Sequence, residues 1–336
     1  MSRTRITSVS TVGLAIAGLL LAGCSAENGS SAEATPELDP DDPVAIEVLQ
    51  SAGGQFESLL LGIEQGFFAE EGLDLNVTVG TGNPATIAPQ LVSGQIQFAQ
   101  IDAASPIAAV SQGIPISLVS VIQNDDPEVT PSAGLLVPPG SDVTSVADLE
   151  GKTIATGQLA GLPVVSTNLA LTAAGVPLDS IEWVQLTPDA LPDAATSGQA
   201  DAILTYASFF AGARESGFTF LEETSTSATL PEVTQVAWGA SDAYLEENPE
   251  VVAAFIRATD RANEYANENP DEVRRIDREQ TELPDDYIES REIQPFGGSF
   301  HVDVMQQLAD AMLDQGFSDE AVDVADDLLW SEADQD

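Results

Sequence analysis

Three times between Val44 and Pro106 the sequence runs from a short apolar stretch into a polar turn and on toward a helix, and that repeat limits the chain to an α/β architecture. Val44 to Leu49 leads into Ser51-Ala52-Gly53-Gly54-Gln55, and Leu73 to Val79 into Gly80-Thr81-Gly82-Asn83-Pro84. Ile96 to Ile101 leads into Asp102-Ala103-Ala104-Ser105-Pro106. Asn83-Pro84 and Ser105-Pro106 pair an N-cap residue with a proline suited to the first helical turn. A second block after Pro131 repeats the pattern. Its strands are expected at Gly134 to Val137, Lys152 to Thr156, Ile181 to Leu186, Ala200 to Leu204 and Phe218 to Leu221. A return strand follows at Val233 to Ala237, and then helices opened by Asn248-Pro249 and Asn269-Pro270. Further helices are expected over Glu57 to Glu70, Val302 to Gln315 and Asp319 to Leu329. Such alternation implies mainly parallel sheets, with ligands sitting beyond the carboxyl ends of the strands. The polar turns there expose helix-start N–H groups, a donor surface for ligand oxygens. The second block supplies a matching turn at Gly157-Gln158-Leu159-Ala160-Gly161, so two such edges facing each other make a cleft.

The amino-terminal residues speak to location. Arg3 and Arg5 precede an apolar run from Val12 to Ala22 that is short for a bilayer span and suits a signal-peptide core. Leu21-Ala22-Gly23-Cys24 resembles a bacterial lipobox, and Cys24 is the only cysteine among 336 residues. Residues 1–23 are therefore expected to be a signal peptide, with Cys24 lipidated and the protein held at the extracellular face of the cytoplasmic membrane. Residues 24–43, rich in Ser, Ala, Glu, Asp and Pro, read as an acidic flexible tether.

Charge narrows the partners. Removing residues 1–23 takes two arginines and no acid, moving the formal charge from −45 to −47. A phosphate backbone needs a basic surface, so nucleic acid is excluded as a partner. Self-repulsion on this scale is relieved by molar salt, which predicts an acidic, salt-requiring protein of a halophilic or salt-tolerant bacterium.

Six motifs in one order resemble a known family. Glu64-Gln65-Gly66-Phe67-Phe68-Ala69-Glu70-Glu71-Gly72-Leu73 comes first, then Leu91-Val92-Ser93-Gly94-Gln95-Ile96 and Ala108-Ala109-Val110-Ser111-Gln112-Gly113. Asp148-Leu149-Glu150-Gly151-Lys152, Ser197-Gly198-Gln199-Ala200-Asp201-Ala202 and Asn248-Pro249-Glu250 with the later Asn269-Pro270 complete the series. This order resembles the solute-binding lipoproteins of ABC importers, in the branch that takes up alkanesulfonates, taurine, nitrate and thiamine-pyrimidine precursors. The resemblance implies a two-lobe periplasmic-binding-protein-like fold of type II, closing about a hinge. Lobe one maps to residues 44–130 plus 232–336 and lobe two to 131–231. It also implies a small-molecule ligand, an ABC permease as membrane partner, a monomeric chain and no cofactor.

The expected ligand contacts are Gln55, Phe56, Thr81, Asn83, Asp102, Ser105, Gln158, Tyr206, Phe209 and Trp238. Several of these keep two readings. Asn83 either contacts the ligand or only starts a helix. Asp102 binds an amino or hydroxyl group, or caps its turn. Phe209 stacks on a planar ligand or packs in the core. Trp238 is a cleft wall or a hinge-side core residue. His301, the lone histidine, is read as a helix cap rather than a metal ligand, since no second His or Cys accompanies it. The same fold occurs in thiamine-pyrimidine synthases, which use a cysteine-rich motif and histidines; this chain has one cysteine, Cys24, and one histidine, His301, so no enzymatic role is expected. Lobe two holds only Lys152 and Arg214 as cations, which favours a pyrimidine-like heteroaromatic, with an alkanesulfonate, taurine or nitrate-like anion as the alternative.

Overall fold

The computed structural model describes residues 38–50, 55–80 and 86–336. The signal reading, Cys24, the tether up to residue 37, Thr81, Asn83 and the Asn83-Pro84 helix start therefore lie outside the described residues; of the expected tether, residues 38–43 are described, and Leu38 packs against the core of the first sheet. The first block forms β1 (Val44–Gln50), α1 (Glu57–Gln65), α2 (Phe67–Glu70), β2 (Leu73–Val79), α3 (Ile87–Val92), β3 (Phe98–Asp102), α4 (Ala104–Ser111) and β4 (Ile116–Asn124). The second forms β5 (Ala133–Val137), β6 (Thr153–Thr156), α5 (Leu162–Ala173), β7 (Glu182–Gln185), α6 (Leu191–Thr196), β8 (Ala202–Tyr206), α7 (Ala207–Glu215), β9 (Thr219–Leu221) and α8 (Thr226–Thr229). The return consists of β10 (Thr234–Ser241), α9 (Asp242–Glu247), α10 (Pro249–Glu268), α11 (Pro270–Gln280), α12 (Asp285–Ser290) and α13 (Val302–Asp314).

Two five-stranded sheets result, ordered β2-β1-β3-β10-β4 and β7-β6-β8-β5-β9. Each keeps a parallel trio, β2-β1-β3 and β7-β6-β8. The expectation of mainly parallel sheets needs correction, because β10 lies antiparallel between β3 and β4, and β5 antiparallel between β8 and β9. The reason is the crossing. A strand that enters a sheet from the crossing starts at the cleft edge and runs outward, whereas the parallel strands end there.

The long helix α10 carries the core of the first sheet. Its Phe255 stacks flat on Phe98 of β3 at 3.8 Å between centroids, and Trp238 of β10 meets the same ring edge-on at 5.3 Å. The Gly-Phe-Phe motif docks on this helix. Gly66 takes the left-handed φ of +79° and divides the expected 57–70 helix into α1 and α2, a conformation that costs a non-glycine residue. Phe68 then packs near Phe255 at 5.7 Å, while Arg261 lies 4.5 Å over the Phe67 ring. Arg257 and Arg261 pair with Glu71 and Glu70 at 2.6 Å each. A second cluster, containing Ile107, Met305 and Met312 with Leu162, Val165 and Leu230, joins the helices of the two sheets into one compact unit.

The expected helix over 319–329 is absent. Only a π-helical turn forms at Val324–Leu328. Acidic side chains at 319, 320, 323, 326 and 327 would repel one another at helical spacing. Instead Asp323 accepts from the Asp326 N–H at 3.2 Å, and the Trp330 N–H donates to the Leu118 carbonyl of β4 at 2.9 Å. Among the described residues, no helix is long and apolar enough to cross a membrane.

Candidate functional site

A cavity of about 700 Å³ lies between the two sheets. From the first sheet it is lined by Gln55 beyond β1, by Asp102 at the end of β3 and by Ser105 in the first turn of α4. From the second it is lined by the loop of residues 158–161 beyond β6, by Leu162 and Pro163 at the start of α5 and by Tyr206 at the end of β8. Where the chain crosses between the sheets, Asp125, Ser132, Ser227, Gln235 and Gln294 complete the wall. A second cavity of about 270 Å³ is lined by residues 87–116 of the first block alone and mainly by apolar side chains such as Ile87, Ile101 and Ile114. The larger cavity is the candidate because both sheets contribute polar groups to it.

Five expected contacts are brought together there: Gln55, Asp102, Ser105, Gln158 and Tyr206. Gln55 owes its orientation to a left-handed backbone, φ +58°, fixed by the Gln100 side-chain amide donating to the Gln55 carbonyl at 2.8 Å. That turn sends Gln55 to the cleft and Phe56 to the core. Phe56 is accordingly a correction: it is buried in the same apolar cluster as Leu59 and Phe255. Trp238 is the second correction, since it faces α10 and is only 2 % exposed. Phe209 sits on α7, exposed but away from the cavity lining.

Asp102 resolves one pair of readings. Its Oδ1 accepts from the N–H groups of Ala104 and Ser105 at 2.9 and 3.0 Å, and its Oδ2 accepts from the Ser105 hydroxyl. Asp102, not Ser105, therefore caps α4. This also overturns the expectation that the α4 start offers free N–H donors to a ligand oxygen, because a carboxylate of the chain already occupies them.

Sequence reasoning missed Asp125, Ser132, Ser227, Gln235 and Gln294. Asp125 is 4 % exposed. Its N–H donates to the Val233 carbonyl at 2.8 Å, and its Oδ1 accepts from Gln235 Nε2 at 3.0 Å, so both crossings meet on this residue. Its Oδ2 is buried, and the Ser227 side chain is a second hydrogen-bonding neighbour of the carboxyl. Burial pushes the Asp125 carboxyl above the ordinary aspartate range; interactions with Ser227 and Gln235 pull it back, and the Asp126 charge raises it again. The available signal was the polar run Asn124-Asp125-Asp126-Pro127 just before the expected crossing.

The lining carries two carboxylates, Asp102 and Asp125, and no lysine or arginine among the described residues. Lys152 pairs with Asp201 at 3.3 Å, and Arg214 lies over the Phe220 ring at 5.7 Å; neither lines the cavity. No group of three or more His, Cys, Asp or Glu side chains among the described residues is placed to hold a metal ion. His301 begins α13 and its Nδ1 lies 2.7 Å from an Asp336 carboxylate oxygen.

Residues 54–273 match the family described as NMT1/THI5 like. The chain belongs to the NMT1/THI5-like family. It is 30 % identical over 271 residues to the formylaminopyrimidine-binding protein of Halalkalibacterium halodurans, covering 79 % of this chain and 77 % of that protein. The fold resembles the periplasmic aliphatic sulphonate binding protein SsuA from Escherichia coli, with a TM-score of 0.72 at 20 % identity over 87 % of this chain and 94 % of that one. It also resembles the periplasmic nitrate-binding protein NrtA from Synechocystis PCC 6803, with a TM-score of 0.62 at 15 % identity over 82 % of each chain. This NMT1/THI5-like chain thus has the α/β periplasmic-binding-protein fold of those proteins.

Proposed function

We propose that this chain is the solute-capturing component of an ABC importer and that its solute is a pyrimidine-like heteroaromatic rather than an inorganic or sulfonate anion. The observation that carries the ligand class is the occupied α4 start: Asp102 fills the N–H groups an anion would use, in a lining that has no cation among the described residues. An anion there would lose hydration against two carboxylates with no charged partner in return. A neutral heterocycle instead meets the side chains of Gln55, Gln158 and Tyr206, together with the ring face of Tyr206, which is 44 % exposed. The relative at 30 % identity, named for binding a formylaminopyrimidine, agrees with this choice. Capture proceeds by closure of lobe one, residues 44–130 plus 232–336, on lobe two, residues 131–231. The role is binding and presentation to a permease, not catalysis.

Titration calorimetry in molar salt with formylaminopyrimidine, taurine and nitrate tests the reading. Heat and saturation with the heterocycle alone are expected. Saturation by taurine or nitrate, with none by the heterocycle, would sink the ligand class.

The same reading places the protein outside the cytoplasmic membrane as a monomer, anchored by lipid on Cys24 after loss of residues 1–23. Replacing Cys24→Ser is expected to release the chain into the medium, and persistent membrane attachment of that variant would refute the anchor.

A further inference from the structure

Two glutamines in the cavity wall are each held by only one end of the side-chain amide. Gln235 donates from Nε2 to Oδ1 of Asp125 at 3.0 Å, and nothing among the described residues donates to its Oε1. Gln294 is held the other way round. Its Oε1 accepts from the Asp126 N–H at 2.9 Å, and its Nε2 has no acceptor among the described residues. A carboxylate oxygen accepts and a backbone N–H donates, so neither amide can be turned over without losing its anchor. The anchors are consecutive residues of the outgoing crossing, and the Gln123 side chain, donating to the Gln294 carbonyl at 3.1 Å, secures the second glutamine further. Both glutamines are half-buried and line the cavity, and neither free amide atom is sealed from solvent. The wall thus presents one acceptor, Gln235 Oε1, and one donor, Gln294 Nε2, in a preset order.

We propose that these two atoms read the solute together: Gln235 Oε1 accepts from an exocyclic N–H and Gln294 Nε2 donates to the neighbouring ring nitrogen. The solute is then a heterocycle that carries an amino group next to a ring nitrogen. This rests on the heteroaromatic reading above and deepens it, since a planar ring alone is not enough. An amino group beside a ring nitrogen is a donor beside an acceptor, the complement of the pair on the wall. A ring that lacks either group leaves one amide atom unpaired as the cleft dries, and that loss discriminates against it. Because both amides are anchored before the solute arrives, little side-chain freedom is lost on binding.

The test is calorimetric competition at mildly basic pH in molar salt, with the full chain loaded with formylaminopyrimidine. The competitors are 4-aminopyrimidine, 4-methylpyrimidine, which lacks the N–H, and aniline, which lacks the ring nitrogen. The expected result is that 4-aminopyrimidine competes about ten- to a hundredfold more tightly than either of the others. Gln294→Glu keeps the oxygen that holds the Asp126 N–H and removes the donor. It should melt close to the parent and cost 4-aminopyrimidine about tenfold or more, with little loss for aniline. Equal competition by the three compounds, or none by any, would overturn the inference while leaving the heteroaromatic reading intact. An equal loss for 4-aminopyrimidine and aniline in the variant would also overturn it, assigning Gln294 to the crossing alone. Failure of the parent to bind formylaminopyrimidine would overturn the ligand class and this inference together.

Discussion

The side-chain amide of Gln235 donates to Oδ1 of Asp125 at 3.0 Å, tying the outgoing crossing between the sheets to the returning one. Close by, the Thr234 hydroxyl donates to Oδ1 of Asn124 at 2.9 Å, and the Asp126 N–H donates to Oε1 of Gln294 at 2.9 Å. Replacing Gln235→Leu would remove the amide donor to a buried carboxylate, for a loss of about 1–3 kcal/mol. The loss should shrink on acidification. Asp125 already binds its proton more readily folded than unfolded, so stability rises as pH falls through its elevated native value. Urea unfolding of parent and variant at mildly acidic and mildly basic pH measures this; a pH-independent difference would refute it.

A second buried carboxylate lies at the start of α1. Arg291 bonds Glu57 at 2.9 Å and Asp277 at 2.6 Å, with Glu57 and Asp277 both nearly inaccessible. Burial pushes the Glu57 carboxyl from 4.5 up to about 7, against the pull of Arg291. Between those values the native chain holds a proton that the unfolded chain has released, so stability falls as pH rises through the window. The contribution is on the order of 3 kcal/mol. Glu57→Gln should flatten the slope in molar-salt unfolding curves, and an unchanged slope would show that Glu57 is ionised in the folded state.

Removing the guanidinium should be worse than removing the acid. Arg291→Met would strand two carboxyl groups in the interior, at about 3–5 kcal/mol near neutral pH. A melting temperature within a degree or two of the parent would contradict the buried triad.

Two glycines four residues apart should both resist substitution, but for different reasons. A Cβ on Gly62 would sit 2.6 Å from the Ala262 Cβ, wedging α1 off α10, whereas around Gly66 the space is open and only its φ of +79° resists. Gly62→Val should therefore cost about 1–3 kcal/mol or more through overpacking, and Gly66→Ala about 1–2 kcal/mol through backbone strain. Thermal melts that ranked the two the other way would contradict the helix contact.

Salt should stabilise the protein. The exposed pairs of Arg257 and Arg261 contribute about 0–1 kcal/mol each and weaken as salt rises. The repulsion among 55 acids facing ten basic residues weakens too, and it is the larger quantity. The melting temperature should climb between about 0.1 and 2 M salt by more than that of a neutral relative. An equal gain in both proteins would remove the case for a salt-requiring chain.

Much of the cleft is legible in the sequence itself, because Gln55, Asp102, Ser105, Gln158 and Tyr206 follow strands whose apolar runs are unmistakable. The crossing residues are not. Ser132 and Gln235 stand at the amino ends of β5 and β10, and the rule that ligands sit beyond carboxyl ends passes them over. Phe56 and Trp238 escape for a different reason: the residue following a left-handed Gln55, and the face of a central strand, are fixed by what packs behind them.

The order of apolar runs and breakers by itself determined the element succession, since strand and helix periodicity are local properties of the chain. The direction of β5 and β10, the capture of the α4 start by Asp102 and the burial of Asp125 were decided only when distant segments met. Burial, hydrogen-bond satisfaction and side-chain facing depend on neighbours more than a hundred residues away, such as Gln235 for Asp125. No local pattern encodes them.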